Sequence, residues 1–313
     1  MKESFVNALI CPYDHSGLNL AVDSKDDVEV REGRLTCLED DRHQYSVRNG
    51  IVYFGTGIDD SLVQKEIKEQ TSKRYSDSRL YDSKFIAGFP ENLPAIWPNN
   101  KNFGPDFRDL ISHLTLGYGS RTLDIGTGFC WSSRILSERG GEVVALDVSD
   151  RSIDGLGAAD TQFKYHNVFF ERVFESMTSL PFKNESFHNI TFNASFHHTP
   201  SLENTLKECY RVLMPGGKVA MVNESFGSLR KELRYALFGK QEEDGAHHDV
   251  SYREFGNAAE KLGFSINYYL ARHVRDKLSG SKKGMVGLKL LERLPFLAKQ
   301  LDSGLIILKK SYF

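Results

Sequence analysis

The chain contains no apolar run approaching the roughly 18 residues that a membrane-crossing helix needs, and its first stretch, MKESFVNALICPYD, lacks the apolar centre of an export signal. Both absences predict a soluble, cytoplasmic protein. Cysteine is scarce, with four (Cys11, Cys37, Cys130, Cys209) among 313 residues; without export, this excludes a disulfide framework and predicts reduced thiols. Net charge is nearly absent: 40 Lys and Arg against 42 Asp and Glu leave −2. A protein built as a whole around polyanions is therefore not expected. Internal repeats and low-complexity segments are missing as well. The one marked asymmetry is at the end, where Arg272 to Phe313 holds ten basic residues against three acidic ones.

What is present divides the chain in three. Residues 1–57 alternate short apolar runs (LICP, LNLAV, VEVREGRLTCL, QYSVRNGIVYF) with Asp, Ser and Gly turns, the pattern of a small β-rich module. Residues 58–118 are polar, with a helical stretch near Leu62 to Gln70 and the tract FPENLPAIWPNN, whose prolines exclude a regular helix. This reads as a connector or cover. From residue 119 strands (TLDI, EVVALD, ERVF, NITFN, KVAMVN, then FSINYYLA and GLIILKK) alternate with helices. That order predicts an α/β fold with a Rossmann-like, doubly wound sheet of seven strands. In SLENTLKECYRVL, Leu202, Leu206, Cys209 and Leu213 recur at helical spacing, Thr199 and Pro200 suit an N-cap and first position, and Pro215-Gly216-Gly217 closes the unit. Segments 225–260 and 275–303 read as helical lid insertions over a substrate.

The stretch LDIGTGFCWSS decides what the sheet can bind. A dinucleotide fingerprint wants glycine at positions one, three and six. Here those positions are Gly126, Gly128 and Trp131, and an indole cannot occupy the close helix–strand contact. A phosphate-binding P-loop fails too, because no Gly-Lys-Ser/Thr follows. There remains a tight turn preceded by Asp124, with Asp147 closing the next strand 21 residues after Gly126. That spacing suits a carboxylate that accepts two ribose hydroxyls, and hence a ligand with a ribose and no pyrophosphate.

LDIGTGFC, VVALDVS, SLPFKNESFHNITFNASFHH and LKECYRVLMPGGKVAMV, in this order, resemble the class I S-adenosylmethionine-dependent methyltransferases, in particular the branch with the ubiquinone and menaquinone biosynthesis enzymes. The resemblance spans about residues 118–224. It implies that S-adenosylmethionine, with S-adenosylhomocysteine as product, is held by Asp124, Gly126, Thr127 and Gly128 at the methionine end and by Asp147 and Val148 at the ribose. The family's adenine-binding Asp is Ser176 here, followed by Met177, so a hydroxyl and a backbone amide are expected in its place. Asn193 stands where family members put a group near the methyl. Cys130 replaces the third glycine of the family's turn.

Methyl transfer from a sulfonium is an in-line displacement, and a hydroxyl acceptor also needs a base, for which histidine is suited. The candidates are His197 and His198 after NITFN, with bracing of the loop as the alternative role, and His248 of the His247-His248 pair, with a solvated turn as the alternative.

CPYD and TCLED resemble the knuckles of a small zinc-ribbon domain, with Asp14 and Asp40 where cysteines would stand and His15 and His43 nearby. Structural zinc prefers Cys and His, so no metal is assigned and the ribbon is expected to persist without zinc. The resulting expectation is a methyltransferase for a small-molecule acceptor, anionic or lipid-linked, acting on a hydroxyl of a sugar, lipid-linked or secondary metabolite. An RNA methyltransferase, suggested by the zinc-ribbon resemblance and the basic end, is the alternative; the element Asn193-Ala194-Ser195-Phe196 lacks the prolines that base-directed enzymes use. A non-catalytic cofactor-binding subunit is the third. Oligomeric state is left open.

Overall fold

The computed structural model describes residues 1–56, 82–96, 101–225, 251–281, 285, 286, 289 and 304–312. Its centre is one sheet of 11 strands: β1 (Leu18–Lys25), β2 (Val30–Cys37), β3 (Gln44–Arg48), β4 (Ile51–Tyr53), β5 (Arg121–Ile125), β6 (Glu142–Asp147), β7 (Glu171–Phe174), β8 (Phe187–Asn193), β9 (Leu213–Val222), β10 (Phe264–Leu270) and β11 (Gly304–Lys310). They lie in the order β1-β2-β3-β4-β7-β6-β5-β8-β9-β11-β10. From β7 to β10 these are the seven strands expected, with β7 through β9 parallel and β11 antiparallel to both neighbours. Order reverses on either side of β5, which makes its carboxyl end the switch point of the sheet, where ligands of such folds bind.

Period-2 side-chain alternation gives the sheet two apolar faces. Leu123, Ile125, Val144, Leu146, Val219, Met221, Ile306 and Leu308 belong to one core, and Val143, Ala145, Ala220, Val222, Leu305 and Ile307 to the other. The first core is covered by α5 (Leu202–Val212) and α6 (Tyr252–Lys261), the second by α1 (Ser83–Ala87), α2 (Phe103–Ile111), α3 (Trp131–Ser137) and α4 (Ala159–His166). A last helix, α7 (Arg272–Ser279), follows β10 and packs on α2. Trp131, the residue that excluded the dinucleotide fingerprint, lies in α3 edge-on to Phe107 of α2 at 5.2 Å. The connector thus meets the main sheet through the indole. Among the described residues no helix is long and apolar enough to cross a membrane.

The amino-terminal strands continue the same sheet. β1 to β4 form an antiparallel meander, and β4 pairs in parallel with β7, Val52 opposite Val173. LICP, expected to be extended, instead follows a 3-10 helix (Glu3–Ala8) and makes one bridge, Leu9 to Phe182. The reason is packing: Phe5 and Leu9 are buried in the core that Phe182 shares with Phe187.

Two boundaries also differ from expectation. The cap of α5 is Ser201, whose hydroxyl accepts from Asn204 N, whereas the Thr199 hydroxyl bonds Ser201 O and Thr205. Pro215-Gly216-Gly217 is a bulge within β9 rather than a turn before it: Leu213 still pairs with Phe187, and Lys218 resumes opposite Asn189. The helical stretch near residues 62–70, the greater part of both lid insertions, and His247 and His248 lie outside the described residues.

Candidate functional site

Five parallel strands end along one edge, and the side chains at these ends form the site. β5 leads into the glycine turn. Gly126 has φ 72° and a Cβ there would come within 2.4 Å of Ser195 Cβ. Any side chain is therefore excluded by sterics as well as by the left-handed backbone. Gly128, at φ 49°, differs: a Cβ would meet nothing within 4 Å. Its bare backbone faces open space, which fits close approach of a ligand. Cys130 also adopts a left-handed backbone, φ 58°, the conformation for which the family's third glycine is suited. Its buried Sγ lies 3.5 Å from Gly155 O.

Asp124 is 1% exposed and sits beneath the turn. Ser132 and Ser133 donate to its Oδ2 at 2.6 and 2.7 Å, and Thr191 to its Oδ1 at 2.7 Å. Burial pushes its carboxyl up from the usual range, with the three hydroxyls opposing. The carboxylate thus ties the first turn of α3 and the neighbouring strand β8 to β5. Thr127 is buried, with its hydroxyl 3.5 Å from Cys130 Sγ.

Asp147, half-buried at the end of β6, accepts from Gly128 N at 2.9 Å through Oδ2 and from Ser149 N at 3.0 Å through Oδ1. Val148 between them is half-buried. The Asp147 carboxylate and the open glycine are therefore adjacent. At the end of β7, Ser176 is 1% exposed and its hydroxyl lies 2.8 Å from that of Thr178; Met177 packs on the core. Glu175, which the sequence did not single out, is fully buried and accepts from the Thr56 amide and hydroxyl at 2.8 Å each. It fastens the end of the amino-terminal module to the edge of the site.

β8 ends at Asn193, whose Oδ1 accepts from Asn223 Nδ2 at 2.8 Å. Beyond it the chain turns sharply, Ala194 at φ 54°, and Ser195 Oγ donates to Ile125 O at 2.7 Å. This is the residue against which Gly126 packs, so the histidine loop and the glycine turn are in contact. Phe196 anchors the loop, edge-on to Phe192 at 5.1 Å and Phe255 at 5.5 Å. His197 and His198 follow, with ring centroids 4.1 Å apart.

Glu224, just past β9, is the residue that sequence reasoning missed. Its Oε2 is 2.7 Å from His197 Nδ1 and accepts from His197 N at 3.1 Å, while Oε1 accepts from Ser195 N at 3.0 Å. Burial opposes its charge, but the His197 hydrogen bond and charge, with the Ser195 and Phe196 amides, outweigh burial and leave the carboxyl below its ordinary value. A buried carboxylate on Nδ1 fixes the ring and its tautomer, placing the basic lone pair on Nε2.

Residues 123–221 match the family model described as "Methyltransferase domain". The chain is 28% identical over 186 residues to the demethylmenaquinone methyltransferase of Listeria monocytogenes serotype 4a, across 52% of this chain and 78% of that one. It is 25% identical over 182 residues to the ubiquinone biosynthesis O-methyltransferase of Idiomarina loihiensis, across 54% and 70%. Among solved structures, the YcgJ protein of Bacillus subtilis aligns over 66% of this chain and 99% of that one, with 18% identity and a TM-score of 0.48.

Proposed function

We propose that this chain is a class I S-adenosylmethionine-dependent methyltransferase, as the methyltransferase-domain match over residues 123–221 and the two relatives support, and that it methylates a hydroxyl of a small, lipid-linked acceptor, with His197 as base and Glu224 as the group that holds it. S-adenosylmethionine supplies an electrophilic methyl on a sulfonium. The chain's own residues bind, orient and move a proton. Gly126 and Gly128 shape the turn, Gly128 leaving room for the methionine end, and Asp147 has a carboxylate placed to accept ribose hydroxyls. Ser176 and Met177 would meet the adenine, and Asn193 would stand near the methyl.

The observation that carries the reading is the 2.7 Å contact between His197 Nδ1 and buried Glu224, on a loop that packs against the glycine turn. A base so oriented contributes about 10²–10⁴ in rate, and the positioned carboxylate stabilises the imidazolium formed when the hydroxyl proton arrives. The His198 ring lies against His197, tilted by 43°. The names of the two relatives speak of menaquinone and ubiquinone, which supports a hydroxylated aromatic ring on a lipid tail ahead of a sugar.

The test is to incubate the purified chain with methyl-labelled S-adenosylmethionine and a panel of lipid-tailed phenols, catechols and glycosides, and to locate the label by NMR. A methyl ether on a lipid-tailed phenol is expected. Label on a ring carbon or a nitrogen would overturn the O-methyl assignment, and absence of cofactor binding would overturn the whole reading.

A further inference from the structure

Two turns of the amino-terminal module gather four ligand-type side chains. Cys11 and Asp14 lie before β1, Cys37 ends β2, and His43 precedes β3. One donor atom from each lies within 4.8 Å of all the others. Cys11 Sγ is 3.5 Å from His43 Nδ1, Cys37 Sγ 3.2 Å from Asp14 Oδ2, and His43 Nδ1 3.7 Å from the same oxygen. Zinc–ligand bonds of about 2.0–2.3 Å set the corners of a tetrahedron about 3.3–3.8 Å apart. Three of the six edges already have close to those lengths.

The surroundings orient each donor toward the same point. Both cysteines are buried, and besides the other donors their sulfurs touch hydroxyl and amide groups: Tyr45 Oη at 3.1 Å from Cys11, Ser16 Oγ at 2.9 Å from Cys37, and the Asp40 amide donating to Cys37 at 3.4 Å. Ser16 N holds Asp14 through Oδ1 at 2.9 Å, which directs Oδ2 inward. The His43 ring lies against Tyr13 at 4.5 Å. Asp40, the acidic residue standing where a cysteine would be, is not a corner of the cluster. It is paired with Arg42 at 2.6 Å and lies 3.8 Å from His43 Nε2, beside the ring's other nitrogen and beyond hydrogen-bond distance.

We infer that Cys11, Asp14, Cys37 and His43 form a closed tetrahedral site for one zinc-type divalent cation, which pins the turn before β1 to the β2–β3 hairpin. This departs from the metal-free ribbon expected from the acidic substitutions: His43, not Asp40, supplies the fourth corner, so three of four donors are those zinc favours. Binding replaces the protons of the two thiols, which leave as two protons per cation. Two thiolates, one carboxylate and a neutral imidazole around a divalent ion leave a local charge of one negative unit. Four protein donors leave no open position, so the ion is structural. The inference is independent of the methyl-transfer reading.

The test uses the full-length, untagged chain. Elemental analysis after dialysis against a weak chelator is expected to give one zinc per chain, and Co²⁺ in its place is expected to show tetrahedral absorption with thiolate-to-cobalt charge transfer. His43→Ala and Asp14→Ala should weaken zinc binding at least about tenfold, whereas Asp40→Asn should retain one zinc and the same cobalt spectrum with a smaller loss. Should the variants fail to fold, release of two protons per Co²⁺ by the wild-type chain tests the same ligand set. Zinc well below one per chain, an octahedral cobalt spectrum, or equal affinity in wild type and His43→Ala would overturn the inference and leave a hydrogen-bonded thiol cluster.

Discussion

The Arg172 guanidinium meets the Glu29 carboxylate at 2.6 Å, with the two side chains only 1% and 2% exposed. Arg172 belongs to β7 of the parallel part of the sheet and Glu29 immediately precedes β2 of the amino-terminal module, so this buried pair spans the junction that β4 and β7 make through their backbones. Removing one partner of a buried pair costs about 3–5 kcal/mol, because the other charge remains out of water. Glu29→Ala should therefore lower the unfolding free energy by about that amount in urea titration. Asp160, at 2.9 Å, still serves Arg172, but Glu29 also pairs with the buried Met1 ammonium at 2.7 Å, so the expectation stays within about 3–5 kcal/mol. Replacing both residues with apolar ones should cost less than Glu29→Ala alone; a larger loss in the double variant would contradict the pairing.

The two glycines of the turn should respond differently to the same methyl group. Gly126→Ala drives a Cβ to 2.4 Å from Ser195, so the histidine loop must shift and the fold should lose stability by more than the roughly 1 kcal/mol of a left-handed alanine. Gly128→Ala meets open space and should fold with a loss of about 1 kcal/mol, yet bind S-adenosylhomocysteine at least about tenfold more weakly, since its methyl occupies the ligand's approach. Calorimetric titration and thermal melts separate the two. Equal binding by Gly128→Ala and wild type would remove this turn from the cofactor site.

Asp147→Asn keeps the shape of the carboxylate and removes its charge. Hydrogen bonds to a charged group contribute about 1.5–3 kcal/mol, so affinity for S-adenosylhomocysteine should fall roughly tenfold to a hundredfold. Melting in the absence of ligand should change little beyond the weakened Gly128 contact. Retention of wild-type affinity would remove Asp147 from ribose recognition.

The parts of this molecule that could be read from the sequence are those with local signals. Alternation located all seven strands of the parallel-rich half, and the glycine turn with Asp147 located the edge at which the ligand-type groups gather. The pairing of β4 with β7 had no such signal: a parallel contact between residues 52 and 173 depends on non-local packing that periodicity does not encode. Glu224 was missed for the same reason. It lies 27 positions from His197 and is brought beside it only because β8 and β9 are parallel neighbours. Ser201 caps the helix while the Thr199 hydroxyl bonds Thr205, six residues on, a local choice between two hydroxyls that cap preferences do not resolve.

Glu171 gives a pH dependence of definite sign. Burial pushes its carboxyl up to about 7 from 4.5, with the amino-terminal charge and the Lys2 amide opposing. Below pH 4.5 both folded and unfolded chains carry the proton and nothing is lost. Between 4.5 and about 7 the unfolded chain has released it while the folded chain keeps it, so stability falls as pH rises across this window. Above about 7 the full cost remains, on the order of 3 kcal/mol. Glu171→Gln should therefore stabilise the fold at about pH 8 and have little effect at about pH 4. Urea titrations at the two values decide it, and an equal effect at both would show that the carboxyl is not held neutral.

The histidine pair allows two assignments that single substitutions distinguish. If His197 takes the hydroxyl proton and His198 only braces it, His197→Ala should lower kcat by about 10²–10⁴ and His198→Ala by less than about tenfold. Glu224→Gln is the sharper probe. It keeps an oxygen for the Ser195 amide, 3.0 Å away in the wild type, while removing the charge that faces the imidazolium. Its kcat should fall by at least about a hundredfold with affinity for S-adenosylhomocysteine within about threefold of wild type, because the carboxylate touches the base and not the glycine turn. A loss in cofactor affinity as large as the loss in kcat would mean that Glu224 only supports the turn through Ser195. A larger defect in His198→Ala than in His197→Ala would transfer the base to the second ring.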